Sequence, residues 1–160
     1  MTKFPSKFKD DSSASIGFLF IRSYNIWHRE IKKQLKEVAL THPQFVVLTT
    51  LAYLAQRNED INQALIAKAA DMDVMTVSSI IKKLENSELV VRNISKKDPR
   101  ANTISLTEKG QNKLEIAIPL VERIDNIFFS SLNGEEAFFK EKLLTLSNFD
   151  FSSAGEKNYD

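Results

Sequence analysis

Residues 61–110, INQALIAKAADMDVMTVSSIIKKLENSELVVRNISKKDPRANTISLTEKG, limit the fold more than any other stretch of the chain. Their spacing predicts two short helices in tandem, a β-hairpin with a basic tip, and the start of a further helix. Asn62 is an N-cap type of residue ahead of the apolar positions Leu65, Ile66 and Ala69. The chain breaks at Asp71–Asp73, and Asp73 is placed to cap a second helix running to about Asn86. In that helix Val77, Ile81 and Leu84 share one face with Ile80 beside them, the spacing of a buried stripe. The opposite face carries Met75, Thr76, Ser78, Ser79, Lys82 and Lys83: short hydrogen-bonding side chains first, cations one turn later. Such a face suits a DNA major groove, with small polar tips at base edges and lysines at phosphates.

The hairpin adds to this. Val90 to Ile94 and Thr103 to Leu106 are rich in β-branched residues and flank the loop SKKDPRAN. The loop sets Lys96, Lys97 and Arg100 against one carboxylate, Asp98, and Pro99 stiffens its turn. A protruding basic loop beside tandem helices is a wing, and an arginine at its tip suits an adjacent narrow minor groove, where the potential is most negative. Asp98 would repel phosphate, so its expected role is to orient Arg100 or another arginine through a charge-assisted hydrogen bond.

Asp98-Pro-Arg100-Ala followed by Ile104-Ser-Leu106-Thr107-Glu-Lys-Gly110 resembles the wing signature of the MarR family of winged-helix transcriptional regulators. Met75-Thr-Val77-Ser78 and Leu84-Glu85 look like that family's recognition helix, and HPQFVVLTTLAYL (42–54) is similar to its second helix. The resemblance spans about residues 16–147. It implies a mainly α protein with a small β-hairpin wing and long terminal dimerisation helices. By function it implies a ligand-responsive repressor, a homodimer on a pseudo-palindromic site in double-stranded DNA. In some members an aromatic anion sits between the dimer helices and the DNA-binding lobe, so a small aromatic or anionic effector is expected. One position departs from the pattern. The family usually places glycine after the recognition helix, where this chain has Glu88 before Leu89, and a left-handed helix exit is costly for a residue with a Cβ.

At 160 residues with 42% apolar content the chain is one ordinary domain by length. Its expected parts are a flexible arm (1–14), a single domain (15–148) and a disordered tail (149–160). Within the domain, 40–106 form the DNA-binding lobe and 15–39 and 107–148 the dimerisation helices. No window reaches the ~18 apolar residues of a membrane span, and the N-terminus lacks the apolar stretch of a signal peptide, so a cytoplasmic protein without membrane partners is expected. The absence of cysteine excludes disulfides, thiolate metal ligands and a cysteine-based peroxide sensor. Net charge is only +1, but it is unevenly spread: +3 over residues 1–60, +2 over 61–110 and −4 over 111–160. The positive half is the one with the proposed DNA surface.

The flanking segments read as helices. Residues 15–39 place Ile16, Leu19, Phe20, Trp27, Ile31, Leu35 and Val38 on an apolar side, with Lys32, Lys33 and Lys36 on a solvated flank. The helix begun at Thr41 or His42 has Pro43 early in it, where a missing N–H costs little, and is apolar enough to be core. Thr107 caps a long helix containing Pro119, which should kink it or loosen a turn, and Asn133-Gly134 separates it from a last helix opened by Glu135-Glu136. The apolar supply of both ends exceeds what a compact monomer of this length needs.

Phe20, Tyr24, Trp27, His42 and Phe45 form the candidate effector pocket; ordinary core or dimer packing is the plainer account of the same aromatics. His28 and His42 are the only histidines and have no partner at metal spacing, so neither metal nor cofactor is expected. Nothing resembles a nucleophile with its base or a glycine-rich phosphate loop, so no enzymatic activity is expected. The rival to a sequence-specific DNA binder is a winged-helix protein-interaction module using the wing as a docking loop.

Overall fold

In a computed structural model the described residues are 5–57, 60–94 and 102–153. The elements are α1 (Ile16–Glu37), α2 (His42–Ala55), α3 (Gln63–Ala69), α4 (Val74–Asn86), β1 (Val90–Ile94), β2 (Asn102–Leu106), α5 (Glu108–Phe129) and α6 (Glu136–Ser147). Short 3-10 turns lie at Ser12–Ala14, Ser130–Leu132 and Phe151–Ser153. The two strands form one antiparallel hairpin, with Val90 opposite Leu106 and Ile94 opposite Asn102. This is the mainly α architecture with a small β-hairpin wing expected above. The chain divides into two compact units, residues 1–124 and 125–160.

Each helix of the first unit starts where a side chain takes up a backbone N–H that has no partner of its own. Ser15 Oγ accepts from Phe18 N at 3.3 Å, Asn62 Oδ1 from Leu65 N at 2.9 Å, and Asp73 Oδ1 from Thr76 N at 2.8 Å. Thr41 and Gln44 form a reciprocal capping box: Gln44 N donates to Thr41 Oγ1 and Thr41 N to Gln44 Oε1. Pro43 sits in the first turn of α2, where it removes no helical bond. Thr107 Oγ1 accepts from Gly110 N at 3.0 Å at the start of α5. That helix continues across Pro119, so the proline does not end it.

The core gathers one face of every element in this unit. Ile31 and Leu35 of α1 meet Phe45, Val47, Leu48 and Leu51 of α2, and with them Ile66 and Ala67 of α3. Val77, Ile80, Ile81 and Leu84 of α4, Val90 and Ile104 of the hairpin, and Leu114, Ala117, Val121 and Ile124 of α5 complete it. Truncating a fully buried member such as Leu48 or Ile81 to alanine costs about 2–5 kcal/mol through lost transfer energy and the cavity left behind. Ala69, expected on the buried side of α3, is exposed, and Ala67 is buried in its place. Seven residues are too few for the helical period to fix a face.

Among the described residues, three α-helices leave through left-handed exits without glycine. Ala39 (φ 55°), Asp71 (φ 51°) and Glu88 (φ 61°) take that conformation after α1, α3 and α4. In each case the next amide reaches back to the helix: Leu40 N to Leu35 O, Met72 N to Ala67 O, and Leu89 N to Leu84 O, at 2.9–3.0 Å. Glu88 thus adopts the geometry the family gives to glycine, and it is held there from two sides. Thr107 Oγ1 donates to its carbonyl at 2.6 Å, and Lys109 Nζ pairs with its carboxylate at 2.9 Å.

The second unit contains the end of α5 and α6. Phe129 contacts Phe128 edge-on and Phe139 of α6 at ring-centre distances of 5.1 and 6.0 Å. No α6 residue is buried, and Phe138, Leu144 and Leu146 are more than half exposed.

Candidate nucleic-acid interface

The buried stripe of α4 fixes which side of the helix faces outward. With Val77, Ile80, Ile81 and Leu84 in the core, Met75, Thr76, Ser79, Lys82 and Lys83 are exposed and Ser78 is half-buried. The six expected residues therefore lie on one helix, and five of them offer open side chains. Asp73, which fixes the start of this row, has its carboxyl held below the usual range by hydrogen bonds from Thr76, the side-chain contact first and the backbone contact second. It stays ionised at neutral pH, and its charge favours the positive end of the helix.

A neighbouring surface, not foreseen from sequence, belongs to the start of α2. Thr41, Pro43 and Gln44 line a shallow cleft together with Met75, Thr76, Ser79, Ile80 and Lys83 of α4. The T-x-x-Q capping box was visible in the chain, but its position beside α4 depends on tertiary packing.

The hairpin root is anchored at several points. Ile104 N donates to Ile61 O at 2.7 Å, and Thr107 N to Leu89 O at 3.2 Å. Arg92 Nε pairs with Glu85 Oε2 of α4 at 3.2 Å, so this half-buried cation is occupied inside the lobe. Gly110 lies so close to this junction that a Cβ there would overlap the Leu89 carbonyl oxygen. The expected wing residues Lys96, Lys97, Asp98 and Arg100 lie outside the described residues.

A second cleft, of about 480 Å³, runs between α1 and α2 and is lined by Tyr24, His28, Lys32, Lys36, Leu40, Thr41, His42 and Pro43. Tyr24 stacks on His28 at 5.0 Å, His28 lies 4.9 Å from His42, and Trp27 meets His42 edge-on at 5.4 Å. Of the five aromatics expected here, Tyr24 and His42 line the cleft, and Trp27 contacts both rings without lining it. Phe45 is instead buried in the core and Phe20 is exposed on α1, and neither lines the cleft. Sequence reasoning missed His28, Lys32 and Lys36. The signal was the i, i+4 row Tyr24-His28-Lys32-Lys36, but without α2 in place its lysines read as an ordinary solvated flank. Stacked rings beside two ammonium groups suit a flat anion. Among the described residues no group of three or more His, Asp or Glu is arranged to hold a metal ion. No single described helix is long and apolar enough to cross a membrane.

Tandem helices with an open polar face, followed by a hairpin seated on the same core, define a winged helix-turn-helix protein. Residues 29–116 match the family described as transcriptional regulator SarA/Rot, and the chain belongs to this family; its fold is that of solved MarR-family winged-helix regulators. It is 36% identical over 133 residues to the HTH-type transcriptional regulator YdcH of Bacillus subtilis, covering 83% of this chain and 90% of the relative. It is 31% identical over 148 residues to SarZ of Staphylococcus aureus, another HTH-type transcriptional regulator, covering 92% and 91%. Among solved structures it is similar to Bordetella bronchiseptica BpsR, whose DNA binding is regulated by 6-hydroxynicotinic acid. That likeness has a TM-score of 0.76 and 26% identity over 92% of this chain and all of that one.

Proposed function

We propose that the chain is a homodimeric, effector-responsive repressor acting on a pseudo-palindromic operator. The observation that carries this is the open row Met75, Thr76, Ser79, Lys82 and Lys83 on the capped helix α4. Thr76 and Ser79, with Met75, read base edges; Lys82 and Lys83 hold phosphates and set the register. Ser78, half-buried, contributes at the margin of this face. Lys96, Lys97 and Arg100 of the wing reach the flanking minor groove, with Asp98 orienting Arg100.

Dimerisation is supported by apolar surface that a monomer would leave in water. Ile16, Phe18, Phe20 and Ile21 of α1 are all more than half exposed, as are Phe138, Leu144 and Leu146 of α6. An effector-responsive state is supported by the α1–α2 cleft, where a small aromatic anion would stack on Tyr24 or His28 and pair with Lys32 and Lys36. BpsR, regulated by a hydroxylated nicotinic acid, is a precedent for a ligand of that class.

The test is selection of bound duplexes from a random-sequence pool, followed by footprinting of the tightest one. The expected footprint has two related half-sites about one helical turn, ~10 bp, apart. Binding without sequence preference, or a single unrepeated half-site at saturation, would refute the proposal.

A further inference from the structure

The chain holds three methionines, Met1, Met72 and Met75, and no cysteine. Thioethers are therefore its only sulfur atoms open to oxidation. The two described methionines differ sharply. Met72 is half-buried and packed against the core, whereas Met75 is 78% exposed, the most open large apolar side chain on α4. It stands in the first turn of α4 next to Thr76, one helical turn from Ser79, and lines the same cleft as Thr76, Ser79 and Lys83. An apolar residue this exposed loses free energy in water unless a partner covers it. On a face read by DNA, the natural partner for a soft, polarisable thioether is an apolar base edge such as a thymine methyl.

We propose that Met75 is an oxidant-responsive site, at which hydrogen peroxide converts the thioether to a sulfoxide and weakens DNA binding. This rests on the assignment of α4 as the DNA-reading helix. The chemistry balances as oxygen-atom transfer. Sδ supplies an electron pair to one oxygen of hydrogen peroxide, an S–O bond forms as the O–O bond breaks, and the departing hydroxide takes the proton of the transferred oxygen and leaves as water. Sulfur loses two electrons, and peroxide gains them. The product is a polar, chiral group with a strong acceptor oxygen where the duplex previously met an apolar surface. An acceptor facing other acceptors repels them, and the added oxygen needs room in a close-fitting groove. Sulfoxide reductases reverse the change, so the site would report oxidant exposure without lasting damage. Met72, half-buried against the core, is the internal reference.

The experiment uses the full chain, treated with graded hydrogen peroxide. Peptide mass spectrometry follows the +16 Da product at Met75 and Met72. Fluorescence anisotropy follows affinity for the selected duplex at fixed salt. Wild type, M75L and M72L are each compared with themselves before treatment. Wild type should lose at least about fivefold in affinity, in step with oxidation of Met75, and regain it with methionine sulfoxide reductases A and B. M72L should follow wild type, while M75L should change less than about twofold. Full oxidation of Met75 with unchanged affinity, faster oxidation of Met72, or an equal loss in M75L would overturn the proposal. Wild type that oxidises at Met75 but binds no selected duplex beforehand would instead refute the DNA-reading assignment, and the proposal with it.

Discussion

Gly110→Ala sets two physical expectations against each other. Gly110 lies in the first turn of α5, and helix propensity alone favours alanine there by about 1 kcal/mol. The structure gives the opposite sign. A Cβ at this position would overlap the Leu89 carbonyl oxygen and come within 3.2 Å of Leu106 Cδ2. The obstacle is backbone, so no rotamer change relieves it, and α5 must move away from the residues that follow α4. That movement threatens the bonds from Thr107 N and Thr107 Oγ1 to Leu89 O and Glu88 O. Two such bonds contribute about 1 kcal/mol each, and overpacking adds about 1–3 kcal/mol. Set against the propensity gain, the net loss is about 2–4 kcal/mol. Urea unfolding followed by circular dichroism, at one protein concentration for both forms, should show a lower midpoint at unchanged slope. A variant as stable as wild type, or more so, would refute the close-approach argument and leave Gly110 as a mere weak point in a helix.

Ala39→Gly should stabilise the fold by about 0.5–1 kcal/mol, because relief of the left-handed strain exceeds the extra unfolded-state entropy of glycine; a urea midpoint that stays put or falls would count against it. Lys82→Ala or Lys83→Ala should weaken binding to all duplexes and lower the slope of log affinity against log salt by about 0.9 per lost phosphate contact. Thr76→Ala or Ser79→Ala should instead narrow the gap between the selected and random duplexes, and identical behaviour of the two pairs would remove the division into positioning and reading residues. Arg100→Ala should cost about 1–3 kcal/mol of operator affinity per wing, with Arg100→Lys recovering part of it and neither altering the thermal melt. Sedimentation equilibrium at low micromolar concentration should give twice the 18.2 kDa chain mass, and a monomer there would contradict the proposed dimer.

The features legible in the sequence are those written in local chemistry. Asn62, Asp73 and Thr107 each satisfy backbone amides within their own first turn, so the residue type announces the element it starts. The stripe Val77, Ile81, Leu84 told which side of α4 faces water, and with it the face proposed to read DNA. What escaped depends on distant segments. Phe20 and Phe45 share a plausible pattern with Tyr24 and Trp27, yet packing sends one to the surface and the other into the core. Lys32 and Lys36 become cleft residues only because His42 and Pro43 arrive opposite them. The left-handed geometry at Ala39 and Asp71 was not legible, even though the break at Asp71 was, because the usual marker of such a turn is glycine and neither position has it.

The bonds at the hairpin root have a mechanical consequence. Ile104 to Ile61 ties the hairpin to the segment leading into α3, Arg92 to Glu85 ties it to α4, and Thr107 with Lys109 to Glu88 ties the start of α5 to the exit of α4. Changing the angle between the base of the hairpin and α4 means breaking several of these ties at once, so under the proposed function the two would meet DNA as a single caliper. A signal that preserves them can only swing the whole caliper. In an assembly of two copies, such a signal leaves the preferred bases of each half-site intact and changes how far apart those half-sites must lie. If the proposed effector exists, inserting one or two base pairs at the centre of the proposed operator would mimic its action, while altering the half-sites themselves would not.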